Sequence, residues 1–199
     1  GQVVTMSYDG SLPVGTTWSG PISGTTSRTF DGNFRVTSES VNGGSAIAFS
    51  YDADDLVVGV GSMALTRSGQ HGRVVGASLG AVSDSFAYSG FGELSSYSAS
   101  ATGTSLFTAT YLRNAVGHVV QKQETIDGVT DTYAYSYDAL GQLTVVARNG
   151  TTVESYNYDA NGNRVSGTAG GATRAGGYDA QDRLVSYGST SFTHTPSGQ

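Results

Sequence analysis

Three groups of residues match patterns that support chemistry in other proteins. The run from Gly76 to Gly80 reads Gly-Ala-Ser-Leu-Gly, the G-x-S-x-G pattern of a serine-hydrolase nucleophile elbow, with His118 and His194 further along the chain. The elbow requires a strand that turns sharply into a helix. Ser78 instead lies in a Gly-rich stretch, so the sequence predicts a strand or turn there. A serine hydrolase with Ser78 as nucleophile is retained as one alternative function.

The second group resembles a dinucleotide-binding fingerprint. Residues 59–64 read Gly-Val-Gly-Ser-Met-Ala, which fits G-x-G-x-x-G/A. A helix must begin after these glycines, because its N-terminus holds the pyrophosphate. The stretch from Met63 to Gly69 is too short for that helix, so no nucleotide cofactor is predicted.

The third group consists of possible metal ligands and paired carboxylates. Residues 159–163 resemble the start of a calcium loop, but the Gly is displaced and no Glu follows at the twelfth position. His71, His118 and His194 are far apart in the sequence. The Asp residues recur at one position of a repeat described below, which indicates a role in turns rather than in acid–base catalysis. No catalytic residue, metal site or cofactor is predicted.

The composition indicates which elements must carry these residues. The 199 residues include 29 Gly, 12 Tyr and 7 Phe, and only 13% are charged. Aromatic and β-branched residues favour strands, and Gly, Asn and Asp favour the turns between them. We therefore expect an all-β protein.

Charge and hydropathy limit the partners. The formal net charge is −6 and there is no basic run, so nucleic acid is an unfavourable partner. No 18-residue apolar run is present, so no membrane span is predicted. The chain lacks Cys, which excludes disulfides and thiolate chemistry.

A repeat of about 20 residues runs through the chain. Counting its first residue as position 0, the clearest copies have Tyr at 0, Asp at +1, Gly at +4 and an apolar residue at +6. Nine of the 12 tyrosines lie at position 0 or −2, two positions that share one face of a strand. The copies begin at Tyr8, Phe30, Tyr51, Ser68, Tyr88, Arg113, Tyr137, Tyr158, Tyr178 and, truncated, His194.

The repeated residue types predict a β-hairpin. A strand ends at Tyr, Asp accepts hydrogen bonds from the turn, Gly at +4 takes a positive φ, and the returning strand brings in the apolar +6 residue. At Tyr158 the +6 residue is Arg164 and Val165 follows, which predicts a one-residue bulge in that copy. The repeat motif comprises Tyr8, Asp9, Phe30, Asp31, Tyr51, Asp52, Tyr88, Gly92, Gly117, Tyr137, Asp138, Gly141, Tyr158, Asp159, Gly162, Tyr178 and Asp179.

This Tyr-Asp-x-x-Gly-x-Leu pattern resembles the YD repeat of bacterial Rhs proteins, of the B and C components of insecticidal toxin complexes, and of teneurins. The resemblance implies a spiralling β-sheet shell that encapsulates a toxic C-terminal domain. It also implies that the segment with the aspartyl-protease-like self-cleavage site, and the toxin domain, would lie beyond Gln199. We therefore expect residues 1–199 to be a single array of about nine YD-type repeats, excerpted from a longer protein.

The sequence thus predicts an antiparallel meander of β-hairpins that winds into a spiral or partly closed barrel. Its expected function is non-catalytic: part of a shell around a C-terminal toxin or cargo domain of a secreted or bacterial cell-surface protein. The expected partners are flanking repeats and that cargo domain. The principal alternative is a carbohydrate-binding surface module, for which Trp18 is the possible ligand contact because it lies outside the repeat positions.

Overall fold

The computed structural model describes residues 1–195, which form 19 β-strands joined by turns. The chain divides into two compact units. Unit 1 comprises residues 1–86 and 99–104, and unit 2 comprises residues 87–98 and those from 105 onward. The assignment of the whole chain to one array therefore stays a prediction. Within residues 1–195, no helix is long and apolar enough to cross a membrane.

Strands β1 to β9 belong largely to unit 1, and each pairs antiparallel with the next along the chain. Their bounds are β1 Val3–Asp9, β2 Leu12–Ser19, β3 Gly24–Phe30, β4 Val36–Val41, β5 Ile47–Tyr51, β6 Val57–Val60, β7 Met63–Arg67, β8 Val74–Leu79 and β9 Val82–Tyr88.

Strands β10 to β19 belong largely to unit 2, and β11 to β19 also pair antiparallel in chain order. They are β10 Leu94–Ala101, β11 Thr104–Arg113, β12 Val119–Ile126, β13 Val129–Tyr137, β14 Leu143–Arg148, β15 Thr151–Tyr158, β16 Arg164–Ala169, β17 Ala172–Tyr178, β18 Leu184–Tyr187 and β19 Thr190–Ser191. The all-β antiparallel meander of hairpins is confirmed.

Two kinds of turn alternate along most of the meander. A longer turn, here called the YD turn, follows position 0 and runs from +1 to +5, as in residues 138–142. The next connection is a two-residue turn, for example Asn149–Gly150 with φ of 52° and 81°. Two positive φ values match the right-handed twist of paired strands, and for that reason Asn-Gly and Asp-Gly pairs occur here.

A bulge accompanies the YD turns that follow Phe30, Tyr51, Arg67, Arg113, Tyr137, Tyr158 and Tyr178. Tyr137 faces Leu143 while Ser136 faces Val145, so Thr144 at +7 is the extra residue. In the copy at Tyr158, Tyr158 faces Arg164 and Asn157 faces Ser166. The bulge predicted for this copy is present, but it is a general feature of the repeat, and Arg164 occupies the ordinary +6 position.

Two copies depart from the predicted register. The turn after β7 is one residue longer than the others, and Arg67 faces Val74, so position 0 is Arg67 and not Ser68. In the copy at Tyr8, Asp9 faces Leu12 across a two-residue turn, because Gly10 at +2 takes the positive φ of 59°. Asp9 therefore belongs to β1 and not to a YD turn.

Burial is shallow throughout the described residues. Only two hydrophobic side chains are buried, those of Ala109 and Val146. Cross-strand pairing places both on the face of the unit 2 sheet that carries Tyr133, Tyr135 and Tyr156. The opposite face carries Ser and Thr, some of which are hydrogen bonded across strands, such as Thr125 to Thr130 at 2.8 Å. Stability must therefore come largely from turns and strand-to-strand contacts rather than from a deep core.

Candidate functional site

The side chain at +1 organises each YD turn. Asp138 Oδ1 accepts hydrogen bonds from the main-chain N–H groups of Leu140 and Gln142, both at 2.9 Å. The main chain closes the same turn, because Asp138 N–H donates to Gln142 O and Gly141 N–H donates to Asp138 O. Five residues are thus fixed by one short acceptor side chain.

The same pair of side-chain acceptor bonds recurs in seven YD turns of the described chain. Ser89 and Asn114 replace Asp in two of them, which shows that an acceptor oxygen is required and a charge is not. The residues that accept both bonds are Asp31, Asp52, Ser89, Asn114, Asp138, Asp159 and Asp179.

These hydrogen-bond donors also lower the pKa values of three of the Asp side chains. Main-chain and side-chain hydrogen bonds from Arg35 hold the pKa of Asp31 below its usual value. The side chain and then the main chain of Asn163 do the same for Asp159. For Asp179, the principal cause of the lowered pKa is the main-chain N–H of Arg183. Each set of donors favours the charged carboxylate.

Position +4 of the five-residue YD turns has a left-handed backbone whether or not a Gly occupies it. Gly92, Gly117, Gly141 and Gly162 have φ between 80° and 88°. Phe34, Asp55 and Asp182 occupy the same position with φ of 63°, 61° and 59°. The positive φ predicted for the four glycines is present, and three copies maintain it without Gly.

The residue at +6 lies just before the bulge and outside the hydrogen-bonded pairing with the following strand, and so does its main-chain carbonyl. Pairing of β14 with β15 begins at Val145 opposite Ser155, so Leu143 lies outside it. The Tyr158 hydroxyl, at position 0 of the next repeat, donates to Leu143 O at 2.9 Å. We name this bond, from the side chain at position 0 to the +6 carbonyl of the preceding repeat, the repeat clamp.

The repeat clamp recurs in both units. Tyr51 donates to Val36 O at 2.7 Å, and Tyr137 donates to Val119 O at 2.8 Å. Tyr178 donates to Arg164 O at 3.3 Å. The main-chain carbonyl that strand pairing leaves free in one repeat therefore accepts a hydrogen bond from the next repeat. This bond links successive repeats along the chain.

Other donor side chains form the same clamp where Tyr is missing. Arg67 Nε donates to Val57 O at 2.7 Å, and His194 Nε2 lies 2.9 Å from Leu184 O. Because a carbonyl only accepts, His194 must carry its proton on Nε2. Phe30 cannot donate, and the copy before it is the one at Tyr8, which has the two-residue turn.

A second contact joins successive YD turns. The side chain at +5 of one turn lies against position +4 of the next. His118 stacks on the Tyr137 ring with 4.7 Å between centroids, and a Cβ at Gly141 would lie 2.9 Å from His118 Cε1. Further pairs of this kind are Arg35 with Asp55, Gln142 with Gly162, and Asn163 with Asp182. In the longer turn after β7, Leu56 lies against Gly72 at +5.

The tyrosines are thus structural groups in this sheet. All of them except Tyr8 are half-buried, and cations lie over several rings, such as Lys122 Nζ at 4.4 Å from the Tyr133 centroid. The Trp18 indole is also half-buried and covers Gly24, where a Cβ would lie 2.5 Å from Trp18 Cζ2. Packing of these rings is favoured over an exposed sugar-stacking row. A ligand contact by Trp18 stays a prediction.

The residues considered for catalysis are brought to no common site. Ser78 lies within β8, where it faces Ala64 on one side and Ser83 on the other, so there is no strand-to-helix elbow. The glycines of the fingerprint-like run form the β6–β7 hairpin, with Gly61 at φ 58°. Among residues 1–195, no group of three or more His, Asp or Glu side chains could hold a metal ion.

The repeat clamp was missed in the sequence reasoning, although a signal for it is present. Position 0 is Tyr or another donor in nearly every copy, with Arg67, Arg113 and His194 in place of Tyr. A position that required only packing would accept Phe as readily as Arg. The alternation of Tyr with cationic and imidazole donors indicates a hydrogen bond to a main-chain acceptor.

Comparison with known proteins gives one matching family and several solved structures with a similar fold. The family model described as Teneurin YD-shell matches residues 2–198. No curated protein matches the sequence. The structures similar to this chain include a mutant Tc holotoxin pore of Photorhabdus luminescens, with 16% identity and a TM-score of 0.73, covering 87% of this chain and 12% of that one.

Two further similar structures are TcdB2-TccC3, and TcdB2-TccC3-Cdc42. The first has 16% identity and a TM-score of 0.72 over 87% of this chain and 12% of that one. The second has 15% identity and a TM-score of 0.71 over 88% of this chain and 10% of that one. These likenesses concern the fold, and the chain spans only about an eighth of the compared chains.

Proposed function

Because this chain belongs to the teneurin YD-shell family, we propose that it is a non-catalytic wall segment of a shell that encapsulates a C-terminal toxin or cargo domain. The repeat clamp is the observation that carries this proposal. A wall excludes proteases only if no gap opens between repeats, and in these repeats the clamp closes the site where a bulge interrupts strand pairing. The proposed location is outside the cytosol, as a secreted or bacterial cell-surface protein.

The turn contacts support the same function. The +5 side chain of one turn contacts the following repeat, as His118 stacks on the Tyr137 ring, and so fills part of the space between neighbouring YD turns. The wall would isolate its cargo by steric exclusion, so only modest affinity for the cargo is needed. No side chain of this segment is assigned a chemical step.

Limited proteolysis of the full-length parent tests the proposal. The segment beyond the repeats should survive protease concentrations that digest it when it is expressed alone. Equal digestion rates in both contexts would contradict encapsulation. The same parent with Tyr137→Phe and Tyr158→Phe should lose protection sooner on mild heating, because two clamps are opened. Tyr8→Phe is the matched control, since that hydroxyl contacts Met6 Sδ at 3.4 Å and no clamp carbonyl.

A further inference from the structure

The charged side chains of strands β12 to β17 all lie on one face of the unit 2 sheet. Cross-strand pairing places Lys122 beside Tyr133. It places Glu154 beside Val146, which pairs with Tyr135 in turn. We call this side the tyrosine face and the opposite side the hydroxyl face. The charged residues of these strands, every one on the tyrosine face, are Lys122, Glu124, Asp131, Arg148, Glu154, Arg164 and Arg174.

The hydroxyl face carries short uncharged side chains instead. Several of them are hydrogen bonded to each other across strands, such as Thr125 to Thr130 at 2.8 Å and Thr168 to Thr173 at 2.7 Å. Within β12 to β17, all of which the structure describes, this face has no charged and no aromatic side chain. Tyr, Trp and Arg are the residues that most often anchor a protein partner. The hydroxyl face therefore offers a partner no anchor of that kind.

The distribution of charge is the reverse of what exposure predicts. In β13, Thr130, Ala134 and Ser136 of the hydroxyl face are exposed, whereas Tyr133 and Tyr135 of the tyrosine face are half-buried. A sheet with one solvated face normally carries its charged residues on that face, because ionised groups keep their hydration there. Charges on an outer surface also keep a protein soluble. An exposed face without charges is therefore poorly suited to bulk solvent and well suited to an enclosed space.

We propose that the hydroxyl face lines the interior of the shell and faces the cargo domain, whereas the tyrosine face is turned to the outside. This assignment rests on the proposed function, and it specifies which side of the wall meets the cargo. A lining without charges or aromatic rings forms neither ion pairs nor stacking contacts with the cargo. The cargo is then held by enclosure and not by adhesion. The charges of the tyrosine face lie outside, where they keep the parent protein soluble.

Thiol labelling of the full-length parent tests the assignment. Val129 and Thr130 are adjacent and exposed in β13, Val129 on the tyrosine face and Thr130 on the hydroxyl face. Val129→Cys and Thr130→Cys are treated with a polymer-linked maleimide too large to pass through the wall, and mass spectrometry of the peptide that contains the thiol gives the labelling rate. Each rate is divided by the rate of the same variant unfolded in urea. We expect Val129→Cys to be labelled at least about tenfold faster than Thr130→Cys, because the reagent reaches only the outer face.

A second pair of variants keeps the test valid if one of these folds poorly. Ile126→Cys places an exposed thiol on the tyrosine face, and Ala134→Cys places one on the hydroxyl face. Faster labelling of the hydroxyl-face thiols, or equal rates in a parent whose cargo resists protease, would overturn the assignment and leave encapsulation intact. Equal rates in a parent whose cargo is digested as fast as the free domain would contradict encapsulation, and the lining with it.

Discussion

The Tyr158 hydroxyl lies 2.9 Å from the main-chain carbonyl of Leu143 and donates a hydrogen bond to it. The two residues are 15 positions apart and belong to successive repeats. Leu143 precedes a bulge, so its carbonyl is outside the ladder to β15. The tyrosine after which this type of repeat is named is thus the donor to a carbonyl that strand pairing leaves free.

Removal of the clamp hydroxyl should therefore destabilise the fold while leaving the ring in place. We expect Tyr158→Phe to lower the free energy of unfolding by about 1–2 kcal/mol, because the half-buried Leu143 carbonyl loses its donor. Urea denaturation followed by circular dichroism gives this value. Tyr8→Phe is the control, with an expected change close to zero. Equal losses in the two variants would show that the clamp contributes nothing.

A comparison of Ala substitutions at Gly141 and Gly150 distinguishes the cost of backbone strain from the cost of a steric contact. Both have φ of 81°, but a Cβ at Gly141 would lie 2.9 Å from His118 Cε1, whereas nothing lies within 4 Å of one at Gly150. We expect Gly150→Ala to cost about 1 kcal/mol and Gly141→Ala about 1 kcal/mol more. Thermal unfolding measures both losses. The additional loss at Gly141 should disappear when the Gly141→Ala, His118→Ala double variant is compared with His118→Ala alone. If the additional loss persists, the contact between turns is not its cause.

Arg113 is the position 0 residue with an incomplete set of bonds. Its Nη1 donates to Gly117 O at 3.1 Å, while its buried Nε forms no hydrogen bond and lies 3.7 Å from Glu93 Oε2 in an ion pair. We expect Arg113→Tyr to stabilise the fold by about 1 kcal/mol, because it removes a buried N–H that forms no hydrogen bond and brings a hydroxyl toward the +6 carbonyl of Leu94. The long, partly exposed ion pair with Glu93 that is lost contributes little. Arg67→Tyr is the control and should give no gain, since Arg67 already forms its clamp with Val57. A loss of stability in Arg113→Tyr would contradict the prediction.

Acid should unfold the chain through its YD turns. The lowered pKa values of Asp31, Asp159 and Asp179 mean that the folded state prefers their charged form more than the unfolded state does. Stability from these groups is complete above the unfolded pKa of about 3.9 and is lost as the pH falls through the lower folded values. Urea midpoints measured from about pH 5 down to pH 2 should therefore decrease.

Asn substitution tests the cause of this acid sensitivity. Asn114 shows that an amide oxygen accepts the same two turn bonds. A variant with Asp31→Asn, Asp159→Asn and Asp179→Asn should therefore fold, and its stability should depend less on pH below about pH 4. Asp127→Asn changes an Asp of a two-residue turn and should retain the wild-type profile. If the triple variant retained it as well, the turn carboxylates would not be the source.

Local chemistry made the repeat unit predictable from the sequence. Asp138 and Gly141 have the same roles in the fold as in the sequence analysis, because hydrogen bonds within a turn and a left-handed φ depend only on neighbouring residues. Strand alternation likewise places Tyr135 and Tyr137 on one face whatever the rest of the chain does. By contrast, the turn at Ser68 includes one extra residue, and the sequence register missed it, since Gly72 is also compatible with a shorter turn.

Contacts between repeats were decided by the tertiary structure alone. The sequence shows that Tyr158 recurs, but only the fold shows that the bulge after Tyr137 leaves Leu143 O without a strand partner and that Tyr158 reaches it. It also shows that Arg67 forms the same bond. The physical reason is that turn chemistry is encoded within about five residues, whereas a clamp depends on the register of two strands that different turns position independently.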